Sequence, residues 1–194
     1  MRLAILLLAA TGWAQQPPVR ILIAYDTQTG NTAKLAQAIR KGAASVPGVE
    51  ATLRKTAEVK DQEILEADGI VVGSPVQWSN ATAETKRLLD RVGAVLWKAG
   101  KNGDGRTAGA FCTGGGVAMG KDVARISILS ALLTMRFTVV GGVDDAGFGT
   151  LGPEATTGPA DPGVSEKELA EARNFGERFA KMTRQLRAGA NAAK

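Results

Sequence analysis

The chain has 194 residues, 44% of them hydrophobic and 22% charged, a composition that suits one globular domain with a core of ordinary size. It contains no histidine and one cysteine, Cys112. These counts exclude histidine-dependent hydrolases, histidine-ligated metals and an internal disulfide, so any redox chemistry is expected from a cofactor, and no metal site is predicted. The net charge of +5 is scattered rather than clustered with aromatic residues, and no nucleic-acid partner is predicted.

Residues 1–14 have the pattern of a secretory signal peptide. Arg2 is followed by a short apolar run, and small residues stand at Gly12 and Ala14. The run is much shorter than the roughly 20 residues of a transmembrane helix, so no stable membrane insertion is predicted. We therefore expect an exported protein, periplasmic or secreted, with one domain over 19–187 and a flexible tail over 188–194.

A strand predicted over 19–25 leads through a short polar loop into a helix predicted over 33–44. At such a junction, backbone N–H groups and the positive end of the helix dipole bind anions. The loop lacks the lysine of an ATP-binding P-loop, which favours a permanently held monophosphate such as that of flavin mononucleotide (FMN). A turn that merely caps the helix is the alternative. The predicted phosphate loop consists of Thr27, Gln28, Thr29, Gly30, Asn31 and Thr32.

Further strands are predicted over 49–55, 69–73, 108–113 and 137–143, and further helices over 81–96, 123–135 and 165–186. This alternation is typical of a parallel sheet covered by helices on both faces, so the predicted fold class is α/β, with an open five-stranded parallel sheet in three α/β/α layers. Ser165 and Glu168 form a capping box at the start of the last helix. The segment 147–163, rich in Gly, Pro and Thr, is predicted to be a binding loop or a lid.

Two more loops are predicted to lie beside the phosphate loop. Ligands of open sheets bind beyond the carboxyl ends of the strands, where the strand order reverses. The loop after the third strand carries a tryptophan that can lie against a planar ring, and the loop after the fourth is glycine-rich, which lets backbone amides approach a ring edge. Surface turns without a ligand are the alternative. These loops comprise Pro75, Val76, Gln77, Trp78, Ser79 and Asn80, and then Thr113, Gly114, Gly115, Gly116 and Val117.

With these loops, the chain resembles the flavodoxin-like WrbA family of NAD(P)H:quinone oxidoreductases. The resemblance covers about 21–182 and is strongest at 73–75, at 88–90, at Phe111 and in the glycine-rich loop. It implies a flavodoxin-like fold, FMN as cofactor, NAD(P)H as co-substrate and a quinone as electron acceptor. By resemblance, the first loop holds the FMN phosphate, the other two frame the isoalloxazine ring, and Trp97 lines the substrate pocket. A hydrophobic cap on its own helix is the alternative role of Trp97.

Three departures from the family bear on activity and assembly. Met135 stands where the family has a histidine near the flavin, and a thioether can neither donate a proton nor hydrogen-bond a quinone carbonyl, although Arg136 beside it can supply positive charge. Gln77 replaces an arginine of the family. A homodimer or homotetramer is implied, in which the quinone pocket can include a neighbouring subunit. The connection 56–67 is shorter than in the family, which argues against the tetramer.

Two other functions are consistent with the sequence. One is a flavodoxin-type electron carrier, and the other is a non-catalytic flavin-binding module. Carriers usually meet their partners through an acidic rim, whereas this chain is basic, so the carrier is the second choice. The cations that argue against an acidic rim are Lys34, Arg40, Lys41, Arg87, Arg91 and Lys98.

Three local patterns have simpler explanations. Residues 115–121 approach a Walker A motif, but Asp122 replaces the Ser or Thr that binds magnesium. The glycines at 147, 149 and 152 are spaced as in a dinucleotide-binding motif, but Pro153 and a loop follow where a helix is needed. Cys112 is predicted to be a small core residue rather than a redox thiol.

Overall fold

A computed structural model describes residues 17–143, 149–158 and 163–192. The predicted signal peptide at 1–14 lies outside these residues. None of the helices in the described part of the chain is long and apolar enough to cross a lipid bilayer.

A mainly parallel sheet forms the centre of the molecule. The strands of the described residues are β1 (Val19–Tyr25), β2 (Val49–Lys55), β3 (Gly69–Gln77), β4 (Asn80–Ala81), β5 (Thr107–Gly114), β6 (Thr138–Val139) and β7 (Glu154–Thr156). Five of them are parallel in the order β2-β1-β3-β5-β6. The chain moves outward from β1 to β2 and then returns to β3 on the other side of β1, so the switch point lies between β1 and β3. This order confirms the predicted open five-stranded sheet.

Helices cover both faces of the sheet. The described residues form α1 (Asn31–Ala44), α2 (Asp61–Glu66), α3 (Ala83–Lys98), α4 (Lys121–Thr134) and α5 (Glu166–Ala192). On one face, α1 and α5 pack around Ile39, Phe175 and Phe179. On the other face, α2, α3 and α4 pack around residues such as Ile70 and Ile128. Both clusters are buried, and the predicted three-layer α/β/α arrangement is confirmed.

Two short strands, β6 and β7, pair with the outer edge of β5, whereas a single strand over 137–143 was predicted there. β6 contains only two of the seven residues predicted at 137–143, and it pairs with the amino-terminal end of β5 at Thr107 and Ala108. β7 comes from the segment 147–163, which was predicted to be a loop or lid, and it pairs with β5 at 112–114. Part of that segment therefore belongs to the sheet.

Several element boundaries also differ from the prediction. β3 continues past residue 73 to Gln77 and turns back as the antiparallel strand β4. The helix predicted at 81–96 therefore starts later, at Ala83, with Thr82 as its N-cap. The six-residue helix α2 was not predicted. α5 continues to Ala192, so residues 188–192 of the predicted tail are helical, as expected for an alanine-rich stretch.

Glycines allow the closest approaches between elements. A Cβ built on Gly42 of α1 would lie 1.8 Å from the carbonyl oxygen of Arg173 in α5, and one built on Gly176 would lie 2.1 Å from that of Ile39. The backbones of α1 and α5 are therefore in direct contact. This packing anchors α1, whose first turn forms part of the candidate site.

Candidate functional site

The three predicted loops meet at one edge of the sheet. They follow β1, β3 and β5, whose carboxyl ends reach the same edge because the strands are adjacent and parallel. The hydroxyl of Thr32 lies 2.8 Å from that of Thr113, so the first loop is hydrogen-bonded to the third. A Cβ built on Gly120, at the end of the third loop, would lie 2.4 Å from Cα of Ser79 in the second. The structure therefore brings the predicted cofactor residues together.

The first loop has the backbone conformation and the uncapped helix start that are typical of anion sites. Gly30 is the N-cap of α1 and has a φ of 91°, a left-handed conformation that glycine adopts without strain. No side chain of the described residues caps this helix, so an external anion can take the place of the capping oxygen. Thr27 Oγ1 accepts the N–H of Gly30 at 3.1 Å, and Asn31 Nδ2 donates to Thr29 Oγ1 at 3.0 Å. These bonds order a loop that suits a phosphate group.

A lysine stands beside the first loop although none lies within it. Lys34 is exposed in the first turn of α1 and donates to Asn31 Oδ1 at 3.4 Å. The sequence prediction named Lys34 only as a cation that argues against an acidic rim and gave it no part in the phosphate site. Helical spacing would have found it, because residues three apart share one face of a helix.

The second loop is a tight hairpin turn between β3 and β4. Gln77 pairs with Asn80, so Trp78 and Ser79 are the turn residues, with φ values of 47° and 62°. Both conformations are left-handed and are strained for residues other than glycine. The turn leaves the side chain of Trp78 100% exposed. Strain and an exposed indole are together typical of a ligand-binding loop.

The third loop passes from the sheet to the surface. Thr113 and Gly114 are buried at the end of β5, whereas Gly115 is exposed, and a Cβ built there would have no neighbour within 4 Å. The carbonyl of Gly114 accepts the N–H of Thr157, just after β7, at 2.9 Å. The base of the glycine-rich loop is therefore held by β7, while its tip offers bare backbone to a ligand.

A cluster of ion pairs with two buried cations lies beside the glycine-rich loop, and the sequence did not predict it. Lys121 and Arg125 of α4 are only 4% and 3% exposed, and both pair with Glu154 of β7. The ammonium of Lys121 lies 2.8 Å from one carboxylate oxygen, and Arg125 binds the other. Arg125 also pairs with the exposed Asp122 at 2.5 Å. The lysine of the Walker-like pattern therefore faces inward and is already paired, unlike a lysine that binds nucleotide phosphates.

Cys112 lies in the core beside this cluster. Its side chain is fully buried, and Sγ lies 3.4 Å from the carbonyl oxygen of Lys121. Burial raises the pKa of the thiol to about 12, although the positive charges of Arg125 and Lys121 act in the opposite direction. A thiol that stays protonated is a poor nucleophile, which agrees with a core role.

The two predicted substrate residues lie at the opposite end of the molecule. α3 and α4 run back from the carboxyl edge of the sheet. Trp97, in the last turn of α3, and Met135, the C-cap of α4, therefore lie beside the amino ends of the strands. The carbonyl of Met135 accepts the N–H of Gly103, just before β5, at 2.8 Å. Trp97 and Met135 are therefore remote from the flavin loops of the same chain. The prediction that they line the substrate pocket, which can include a neighbouring subunit, stays a prediction.

Trp97 and Met135 nevertheless share a groove of about 670 Å³ between the ends of α3 and α4. Trp97 is 87% exposed, and Met135 is half-buried against Gly93. At the rim, Arg136 forms a two-point ion pair with Asp104, at 2.8 and 2.9 Å. The groove is therefore mainly apolar, with a charged rim.

Comparisons with known proteins agree with this geometry. Residues 54–144 match the family described as NADPH-dependent FMN reductase. A flavodoxin from Aquifex aeolicus is 36% identical over 161 residues, which cover 83% of this chain and 85% of that one. An NAD(P)H dehydrogenase (quinone) from Solidesulfovibrio magneticus is 28% identical over 206 residues, which cover 88% and 100%. The crystal structure of a WrbA-like flavodoxin from Agrobacterium tumefaciens has a TM-score of 0.70 at 20% identity, with 86% and 98% covered.

An open parallel sheet with three loops at its switch point defines the flavodoxin-like class of proteins. The chain belongs to the flavodoxin-like family, as its 36% identity to the Aquifex flavodoxin over 85% of that protein shows, and it is also similar to quinone dehydrogenases and to a WrbA-like protein. The predicted family and fold class are confirmed, as is the prediction of FMN with NAD(P)H as electron donor. The protein is a flavin-dependent oxidoreductase.

Proposed function

We propose that the protein is an FMN-dependent NAD(P)H:quinone oxidoreductase that reduces quinones by two electrons. The observation that carries the proposal is the meeting of three loops at the switch point of the sheet, two of them joined by the Thr32–Thr113 hydrogen bond. Relatives named NAD(P)H dehydrogenase (quinone) support this choice of reaction. Bound FMN supplies the chemistry, which is hydride acceptance from NAD(P)H and electron delivery to the quinone.

In this proposal the first loop and α1 bind the phosphate of the cofactor. The uncapped start of α1 offers backbone N–H groups and the positive helix end to an anion, which supports this role. The hydroxyls of Thr27 and Thr29 lie in the same loop, and Lys34 adds a positive charge one turn away. A doubly charged phosphate suits this combination of donors.

The second and third loops hold the ring system in this proposal. The exposed indole of Trp78 offers an apolar face, and Gly115 leaves room for the backbone to approach. Val117 and Met119 are 84% and 59% exposed and add apolar surface to the third loop. Adjacent exposed apolar side chains mark a surface that a ligand covers.

The site has no histidine for moving protons. The Thr32 and Thr113 hydroxyls do not titrate near neutral pH, and burial keeps the thiol of Cys112 protonated. We therefore propose that the protons taken up by the quinone come from solvent. Turnover should then lack the inflection near pH 6.5 that a catalytic histidine produces.

A steady-state assay of the purified chain tests the proposed reaction. With FMN, NADH or NADPH, and a benzoquinone, we expect turnover well above that of the same concentration of free FMN. Trp78→Ala should lower FMN affinity and turnover together, because it removes the apolar face of the second loop. Turnover equal to that of free FMN would refute the proposed quinone reductase activity.

The second candidate is a flavodoxin-type electron carrier. The 36% identity to the Aquifex flavodoxin favours it. The basic surface of this chain argues against the carrier function, since carriers usually dock through acidic rims. Of the predicted cations, Arg87 and Arg91 are paired with Glu84 and Asp61, whereas Lys34 is exposed close to the first loop. A carrier would need a partner reductase and would not oxidise NAD(P)H by itself, so bleaching of the bound FMN by NAD(P)H under anaerobic conditions, without quinone, separates the two functions.

A non-catalytic flavin-binding module is the third candidate. It would bind FMN but would show no turnover with any nicotinamide and quinone pair. Fluorescence titration of FMN with the purified chain measures binding independently of turnover. Tight binding together with inactivity would exclude the quinone reductase and leave this module and the carrier.

We also propose that the protein is exported. The support is the sequence pattern of residues 1–14 alone. Expression with a carboxyl-terminal tag, followed by cell fractionation and amino-terminal sequencing, tests this proposal. An intact Met1 on protein in the cytoplasmic fraction would refute it.

A further inference from the structure

β7 is a short strand in a position that decides the shape of the glycine-rich loop. Its three residues pair with residues 112–114 of β5, the last of which begin that loop. On the other side, the same stretch of β5 pairs with β3 through Ser74 and Pro75. β6 has already ended beside the amino-terminal half of β5. Without β7, the base of the glycine-rich loop would be an open sheet edge.

Two cations of α4 hold β7 in place. Lys121 Nζ lies 2.8 Å from the carboxylate of Glu154 and donates to Thr156 Oγ1 at 2.5 Å. Arg125 binds the other oxygen of the Glu154 carboxylate and donates to the carbonyl of Gly152 at 2.5 Å. Three backbone pairs alone make a weak strand, so these side-chain bonds supply attachment that the sheet itself lacks.

The same lysine packs against the loop. A Cβ built on Gly114 would lie 2.9 Å from Cγ of Lys121. The carbonyl of Gly114 accepts the N–H of Thr157, which directly follows β7. Gly114 is therefore packed between the aliphatic part of the Lys121 side chain and the end of β7, the strand that Lys121 binds. Lys121 is 4% exposed, and a charge that is so deeply buried needs a partner, because an unpaired buried charge is strongly destabilising.

We propose that Lys121 and Glu154 are positioning residues of the flavin site, because the ion pair between the buried Lys121 and the partly exposed Glu154 fixes the glycine-rich loop by holding β7 against the end of β5. This inference rests on the proposed function in taking residues 113–117 as the contact with the flavin ring. Neither side chain needs to touch the cofactor. Their effect passes through Gly114 and the backbone N–H groups that follow it.

The test is FMN binding by three variants, measured by fluorescence quenching with neither NAD(P)H nor quinone present. Lys121→Met and Glu154→Gln should each weaken FMN binding by about tenfold or more. The double variant should lose less affinity than the product of the two single losses, because both changes remove the Lys121–Glu154 pair, while each also removes one further bond, to Thr156 or to Arg125. Two independent tenfold losses that multiply would overturn the proposal.

Lys86→Met is the matched control. Lys86 pairs with Asp90 on the exposed surface of α3, where its side chain is 63% exposed. The control should bind FMN within about twofold of the natural chain, since exposed pairs contribute little. Natural affinity in both Lys121→Met and Glu154→Gln would overturn the proposal, even if their thermal unfolding midpoints fall, because the pair would then serve stability alone.

A conservative variant separates the charge of Lys121 from its packing. Lys121→Arg keeps the ion pair and should restore FMN binding to within about threefold of the natural chain. A loss equal to that of Lys121→Met would overturn the proposal.

If Lys121→Met does not fold, Thr156→Val decides, since it removes only the hydroxyl that Lys121 contacts. It should weaken FMN binding by about threefold, and unchanged binding would overturn the proposal.

The outcomes also separate this inference from the proposed function. An inactive natural chain that binds FMN, with variants that bind poorly, refutes the quinone reductase and leaves the positioning pair in place. An active natural chain with variants that bind FMN normally supports the quinone reductase and refutes the positioning pair. A natural chain that does not bind FMN overturns both.

Discussion

At the scale of single residues, the hairpin turn of the second loop stores strain that one substitution can release. Ser79 has a φ of 62°, a left-handed conformation that costs a non-glycine residue about 1–2 kcal/mol. Glycine adopts it freely but gains entropy in the unfolded chain, which offsets part of the benefit. Ser79→Gly should therefore raise the free energy of unfolding of the cofactor-free chain by about 0.5–1 kcal/mol in urea denaturation.

Ser130→Gly is the matched control for that substitution. Ser130 is exposed inside α4, where glycine is unfavourable, so the control should lose about 0.5–1 kcal/mol. Equal losses in the two variants would show that the left-handed turn at Ser79 carries no strain.

Residue chemistry was predictable from the sequence wherever it depended on near neighbours. The strand, the glycine and the helix around the predicted phosphate loop were all visible in residues 19–44, and the phosphate-binding role of the loop stays a prediction. The left-handed pair at Trp78 and Ser79 was not predictable, because neither residue type favours that conformation. The turn is imposed by the short hairpin between β3 and β4.

At the scale of elements, the contact between α1 and α5 depends on Gly42. Its missing Cβ would lie 1.8 Å from the carbonyl oxygen of Arg173, so an alanine would force the helices apart. The loss of packing outweighs the helix preference of alanine, and Gly42→Ala should destabilise the chain by about 1–3 kcal/mol. Gly189→Ala in α5, where a Cβ would meet nothing within 4 Å, should be neutral or stabilising. Equal effects in urea denaturation would contradict this packing.

The start of α5 should make stability depend on pH. Burial raises the pKa of Glu168, but hydrogen bonds from Ser165 and from the N–H of Thr156 outweigh burial and lower its pKa below the ordinary 4.5. The ionised carboxylate therefore stabilises the fold above pH 4.5, and this contribution is lost as the pH falls through the lowered pKa. Glu168→Gln should cost about 1 kcal/mol at pH 7, and the difference from the natural chain should shrink as the pH falls below 4.5.

Glu166→Gln is the control for that pH series. Glu166 is exposed in the same first turn of α5, so it tests the general effect of removing a carboxylate at this helix end. Urea denaturation of both variants from pH 3 to pH 8 measures the difference. A constant cost of Glu168→Gln across this range would show that the bonds do not depend on its charge.

Element prediction succeeded where apolar runs were bounded by turn residues and failed where a strand was held by distant partners. β1 and β2 have their predicted bounds. β7 was missed because its segment is polar and glycine-rich, and its attachment depends on Lys121 and Arg125, about 30 residues earlier in the chain. No local periodicity reveals such an ion pair.

At the scale of the whole molecule, the flavin loops and the apolar groove lie at opposite ends of the sheet. The loops follow the carboxyl ends of β1, β3 and β5, whereas Trp97 and Met135 line a groove beside the amino ends of the strands. If that groove receives the quinone, as the family resemblance implies, one chain cannot complete the site. Activity should then require an assembly in which the groove of one subunit faces the flavin loops of another.

Subunit mixing tests this arrangement directly. Gly30→Val should disable the first loop, because a β-branched residue does not tolerate a φ of 91°, and Trp97→Ala should disable the groove. Each variant alone should lose about tenfold or more in turnover. In mixed assemblies, purified through two different tags, an intact groove from the Gly30→Val subunit can face intact loops from the Trp97→Ala subunit. Turnover should therefore exceed the sum of the two separate activities, whereas simple additivity would mean that each chain works alone and that the groove has another purpose.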